Sequence, residues 1–310
     1  MAIDVEFLVV IAEMLSKDTF DDKLFEKLMR TRGAKAFLEH GSSLGRQVNV
    51  SDIKNEMIKL LQQEDYEDKF QFYRIKKNLT RIRDDIEYLR KNRALILEKA
   101  LEKVYKIVPE EMDIRTEICL YVGEYGGGFT INRNWVLINY GKYIGHKEEF
   151  VNILSHELYH SRVIPLRYKI NFLFKSILKK RRDAYNLLGK IIEEGIACLI
   201  QHGAILNRDD LSGNLTRRNL SHSKEQFEIL NRILLDMRYG KFDKNCLKKI
   251  NVYSLGYLMV TTIYNEMGVL PLDSWTMNLD FRGIIMTFNK LCVEKNLPYG
   301  FYPEAIEWLR

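Results

Sequence analysis

Strand-forming sequence is confined to one short stretch of this chain, and that confinement limits the possible folds more than any other feature. Ile118-Cys119-Leu120-Tyr121-Val122 is rich in residues that suit a pleated surface, and Gly126-Gly127-Gly128 after it predicts a turn. Phe129-Thr130-Ile131 and Trp135-Val136-Leu137-Ile138 follow, separated by the turn-prone Asn132-Arg133-Asn134. Elsewhere the apolar pattern is helical. Phe72, Ile75, Leu79, Ile82, Ile86 and Leu89 recur at spacings of three and four, with Lys76, Lys77, Arg81, Arg83, Asp84 and Asp85 between them. This predicts one long helix, fading toward Tyr105 and ended by Pro109, which has no N–H to continue the ladder. Arg93 breaks the repeat that a coiled coil would need. From Lys147 onward the pattern is helical again, interrupted by a polar stretch around 207–223. The expected fold is mainly α with a small β-sheet (α+β). A helical N-terminal subdomain is expected over 1–109 and a second domain over 110–310.

A chain of 310 residues buries most of its unfolded surface, so it needs neither disulfides nor a structural metal to fold. A metal is then available for chemistry. Cys119, Cys198, Cys246 and Cys292 each sit in apolar sequence without a C-x-x-C spacing, which predicts reduced thiols. The opening MAIDVEFLVVIAEMLS lacks a basic leader, and no uncharged apolar run reaches membrane-spanning length. These features lead us to expect a cytoplasmic protein without a membrane partner. The net charge of +6 raises the question of nucleic acid, with Lys179-Lys180-Arg181-Arg182 the best candidate contact. Yet 48 basic residues interleave with 42 acidic ones, so the run reads as a solvated helix face and no nucleic-acid partner is expected.

The chemistry lies in His156-Glu157-Leu158-Tyr159-His160. Phe150, Ile153, Leu154 and Leu158 mark a helix around it, and two histidines four residues apart project from one helical face. Their rings can meet at one zinc ion, which accepts imidazole nitrogens as two of the three protein ligands of a catalytic site. Glu157 is placed to take a proton from the water that such a metal activates and to pass it to a leaving amine. The third ligand should be an acid or histidine on a neighbouring element. Glu193-Glu194, inside Ile191-Ile192-Glu193-Glu194-Gly195-Ile196-Ala197, is the best candidate, because adjacent acids in an apolar helix need a partner. The small Gly195 and Ala197 would let helices approach closely enough for Glu194 to reach the metal.

These segments together resemble the gluzincin metallopeptidases. In their aminopeptidase branch an N-E-G-F-A segment carries the glutamate ligand just before the glycine. That resemblance makes Glu194 the third ligand and Glu193 a support outside the metal's own bonds. Val252-Tyr253-Ser254-Leu255-Gly256-Tyr257-Leu258-Met259 is similar to that branch's P-Y-E-K-G-F segment, whose tyrosine hydrogen-bonds the oxyanion. The role falls here on Tyr253, with Tyr257 as the other candidate. The gap between His160 and Glu194 is longer than in the aminopeptidases, which implies an inserted helix over about Tyr168–Lys180. The glutamate of their G-x-M-E-N motif, which holds the substrate amine, has no counterpart here, and this counts against aminopeptidase action. Bacterial gluzincin-like zinc peptidases sharing H-E-x-x-H, E-G-x-A and Y-x-x-G-Y are a better match.

The resemblance implies a gluzincin-like zincin core in 110–310 and Zn2+ bound by His156, His160 and Glu194. It also implies a peptide or protein substrate hydrolysed with Glu157 and Tyr253. A β-strand edge in such enzymes pairs with the extended substrate, and Trp135–Tyr140 is the candidate, with Asn132 and Asn139 as possible backbone contacts. Two other readings stay open: hydrolysis of a non-peptide amide or ester, and a non-catalytic binding protein that retains the zinc motif.

Overall fold

The computed structural model describes residues 1–43, 48–123, 127–131, 135–177 and 179–310, without the side chains of residues 40, 42, 43, 175–177, 179 and 180. The architecture is helical around one small sheet, as the restricted strand sequence predicts. Two compact units divide the chain: residues 1–102 with 114–161, and residues 103–113 with 162–310.

The first unit holds helices α1 (Glu6–Leu15), α2 (Asp22–Arg30), α3 (Arg32–Ser43), α4 (Val50–Gln62), α5 (Tyr73–Lys76), α6 (Leu79–Lys91), all but the last three residues of α7 (Arg93–Tyr105), and α8 (Lys147–His160). Strands β1 (Ile3–Asp4), β2 (Glu117–Tyr121), β3 (Gly128–Ile131) and β4 (Trp135–Asn139) form a sheet of order β1-β2-β4-β3. β1, β2 and β4 run parallel, with Ile118 opposite Val136, while β3 is antiparallel to β4, with Thr130 opposite Val136. The expected turn at Asn132-Arg133-Asn134, the proposed backbone contact from Asn132, and Gly126 of the glycine run lie outside the described residues.

Two expectations are corrected here. The long helix from Phe72 is three helices. Asn78 and Asn92 leave helical backbone geometry, and each donates its side-chain amide to the carbonyl four residues back, Arg74 and Tyr88, both at 2.9 Å. Asparagine thereby offers the chain a local alternative to the helical ladder, and the helix stops there. The apolar stripe itself is sound: Phe72, Ile75, Ile82, Ile86 and Leu89 are all buried. The second correction concerns the substrate-pairing edge. Trp135–Tyr140 is not an edge, because β4 lies between β2 and β3. The strand at that end of the sheet is β3. Asn139 is likewise not turned to a substrate. It is buried, donating to the Gly123 carbonyl at 2.8 Å and accepting from the Gly123 N–H at 3.4 Å.

The second unit holds α9 (Leu166–Ile177), α10 (Lys179–His202), α11 (Arg217–Ser221), α12 (Ser223–Arg238), α13 (Val252–Met267), α14 (Asp273–Thr276), α15 (Phe281–Glu294) and α16 (Pro303–Leu309). α9 is the helix expected between His160 and Glu194. Its defining contact is the crossing of α10 and α13 at two glycines. A Cβ on Gly195 would lie 2.7 Å from the Gly256 Cα, and one on Gly256 would lie 2.8 Å from the Gly195 Cα and press on the Ile191 carbonyl. No side chain fits at either position. The glycine beside Glu194 therefore admits α13, which also carries Tyr253 and Tyr257. Gly256→Ala should lower stability by about 2–3 kcal/mol through overpacking, despite alanine's better helix propensity of ~1 kcal/mol. Urea unfolding tests this, and a stabilised variant would contradict so close a crossing.

Among the described residues, no helix is long and apolar enough to cross a membrane.

Candidate metal centre

Helix α8 packs against β3 and β4, and burial extends over every residue from Ile153 to Tyr159. Glu148 and Glu149 sit in its first turn, where the helix dipole favours negative charge. The loop that delivers the chain into α8 is held by buried Asp85, which accepts the Gly145 N–H at 2.7 Å.

His156 and His160 face the same way from successive turns, their ring centroids 4.9 Å apart. One ligand atom from each of them and one from Glu194 all lie within 4.8 Å of one another. Two imidazoles and a carboxylate converging in this way suit a borderline-soft divalent cation such as zinc. Tetrahedral zinc with these ligands separates them by roughly 3.4 Å, so modest side-chain rotation brings all three onto one ion. The residues fit the metal.

Glu157 is buried between the two histidines in sequence but points to the sheet. Its Oε2 accepts the Thr130 hydroxyl at 3.1 Å, and that hydroxyl also lies 3.3 Å from the Glu157 carbonyl. At Gly128 there is no room for a side chain, because a Cβ would lie 2.9 Å from Glu157 Oε1 and 3.0 Å from its Cγ. β3 thus holds the carboxylate with one hydroxyl and makes space for it with one glycine. Sequence reading gave Thr130 and Gly128 only strand and turn roles, since nothing local connects them to a residue 27 positions away.

Glu193 answers the question of the paired acids. Arg162, almost wholly buried at 1% exposure, donates both terminal nitrogens to its carboxylate at 2.6 and 2.8 Å. The Trp275 indole N–H adds a bond to Glu193 at 2.6 Å, and Arg162 Nε donates to the Thr276 carbonyl at 3.1 Å. Arg162 stands two residues after His160, and Glu193 stands immediately before Glu194. Of the two acids, then, one sits in the candidate metal cluster and the other in an arginine fork. Sequence reading missed Arg162 and Trp275. The only available signal was a basic residue just beyond the metal helix.

Tyr253 and Tyr257 differ sharply. Tyr257 is buried and donates its hydroxyl to the Gly203 carbonyl at 2.8 Å, fastening the end of α10. Burial pushes its phenol well above the ordinary range, with the nearby Cys198 adding to the effect. Tyr253 is half-buried at the start of α13 and packs against the cluster of Cys198, Leu215 and Tyr257. Cys198 lies one helical turn beyond Glu194. Burial first, and the Glu194 carboxylate second, raise its thiol far above the usual value.

Residues 25–297 match the family described as "Putative zinc dependent peptidase (DUF5700)". The chain belongs to that family. The match takes in the metal helix, α10 and α13, so the three segments that carry the site all fall within it. No curated protein and no solved structure matches the chain.

Proposed function

We propose that this member of the family is a gluzincin-type peptidase that hydrolyses peptide bonds with a water nucleophile. The observation that carries the reading is the convergence of His156, His160 and Glu194 beside a buried Glu157 whose carboxylate is already held by Thr130. Zinc held by these three residues would supply Lewis acidity to the scissile carbonyl and acidity to the attacking water. Glu157 accepts that water's proton and returns it to the leaving amine. Thr130 keeps the carboxylate from swinging away between the two transfers. Tyr253 is assigned to the developing oxyanion, because the Tyr257 hydroxyl is already bonded to a backbone carbonyl. Glu193 positions the helix segment that carries Glu194.

The reading favours a peptide over a non-peptide amide or ester for a specific reason. β3 lies at the end of the sheet and holds Glu157 through Thr130, so its outer side can pair with an extended backbone next to the general base. The expected partner is a peptide or protein, with no nucleic acid involved.

The test is elemental analysis of the purified chain beside His156→Ala and Glu194→Ala. One zinc per wild-type chain, lost in both variants, is the expected outcome, followed by cleavage of an unstructured protein such as casein. Retention of one equivalent by Glu194→Ala would remove Glu194 from the ligand set. A zinc-loaded wild type that cleaves small esters but no peptide would overturn the substrate assignment.

A further inference from the structure

Helix α9 carries a face that the proposed chemistry does not use. Leu166, Ile170, Leu173 and Phe174 fall at spacings of four, three and one, which places them on a single stripe. All four are exposed, at 69%, 42%, 59% and 67%, and Val163 just before the helix is exposed as well. The opposite face settles which way the helix is turned. Phe172 packs edge-on against Trp275 at 6.0 Å between centroids and lies 6.4 Å from Tyr185, so the stripe faces solvent. A contiguous apolar stripe of this kind is uncommon on a surface exposed only to water.

The charges around it identify what it meets. Helical geometry puts Arg167 along one border of the stripe and Lys169 along the other, with Arg167 leaning over the Tyr168 ring. Residues 163–182 contain seven basic residues and no acidic one, in a chain whose charges otherwise interleave. A second copy of this segment would bring the same seven basic residues, three of them on α9, against themselves. Nucleic acid would satisfy the charges but offers no apolar layer for Leu173 and Phe174. A bilayer bearing anionic headgroups satisfies both, because acyl chains receive the stripe while phosphates receive the cations bordering it.

We infer that α9 docks the chain flat on anionic membrane surfaces. Such docking is peripheral and reversible, since one short amphipathic helix binds weakly and needs its electrostatic component. It does not depend on the peptidase reading.

Co-sedimentation of the full chain with vesicles tests it, using phosphatidylcholine alone and phosphatidylcholine mixed with phosphatidylserine. Binding should be confined to the mixed vesicles and should fade as salt is raised. Leu173→Gln/Phe174→Gln should weaken it about tenfold or more, because the inserted apolar area is removed. Arg167→Gln/Lys169→Gln should weaken it as well. Leu173, Phe174 and Arg167 are exposed and Lys169 is half-buried, so circular dichroism and thermal midpoint of the Leu173→Gln/Phe174→Gln variant should match the wild type, which separates lost docking from lost folding. The inference is overturned by absence of binding to the mixed vesicles. It is equally overturned if Leu173→Gln/Phe174→Gln binds like wild type, if the wild type self-associates through this stripe, or if it prefers duplex DNA to the mixed vesicles.

Discussion

Glu157→Gln should retain one zinc per chain while losing peptidase activity by about 10²–10⁴-fold, the usual contribution of a positioned general base and acid. The substitution keeps the size of the side chain and leaves an oxygen to accept the Thr130 hydroxyl, now at 3.1 Å from Oε2. The extra N–H of glutamine finds little room, since Gly128 already approaches so closely that a Cβ there would lie 2.9 Å from Oε1. What disappears is basicity: an amide cannot accept the water's proton or return one to the amine. Because Glu157 is not among the three clustered side chains proposed as ligands, metal content should be untouched. The informative comparison is kcat against zinc stoichiometry on the same preparation. A variant that loses its zinc would make Glu157 a ligand, and one that keeps both zinc and activity would remove it from the reaction.

Much of this site was legible because its parts obey local rules. The His156–His160 spacing is a consequence of helical pitch, and the apolar residues around it identify the helix without reference to the rest of the chain. Glu193-Glu194 stood out because two acids among isoleucines demand partners, although sequence supplied a partner for only one of them. The strands were similarly visible in Ile118–Val122 and Trp135–Ile138. Their order was not visible, because nothing in a strand's composition states its neighbours. That is why β4 looked like an edge and β3 did not. β1 escaped notice since two residues form no pattern; Asn78 escaped because the apolar stripe runs through it, and Asn92 because the stripe was expected only to fade toward Tyr105. Gly195 and Gly256 show the same limit from another side. Gly195 reads as a residue that lets a helix approach, but Gly256 reads as an ordinary small residue, and only their mutual approach shows that both are required for one crossing. The outward face of α9 was hidden for a related reason. Periodicity shows that a stripe exists, while Phe172 and its contacts with Trp275 and Tyr185 decide which side is buried.

The second large effect concerns Glu193, and its expected result is asymmetric. Glu193→Gln should cost about 3 kcal/mol of stability, at the low end for breaking a buried ion pair, because the Glu193 side chain retains 23% exposure. Arg162 has no such relief: at 1% exposure its guanidinium would remain in the interior without the carboxylate that now takes both its terminal nitrogens. Arg162→Met should cost only about 1–2 kcal/mol, since the remaining carboxylate is partly hydrated and keeps the Trp275 N–H. The double variant should then resemble Arg162→Met more than the sum of the two, which a double-mutant cycle in urea would show. Zinc affinity adds a readout that loss of stability alone would not move. Glu193 adjoins Glu194 on α10 and its fork reaches Arg162, two residues past His160, so loosening it should weaken zinc about tenfold in molecules that remain folded. Equal destabilisation by the two single variants, with zinc affinity unchanged, would reduce the fork to packing. The predicted inequality would show that this pair anchors the chain beside two of the proposed metal ligands.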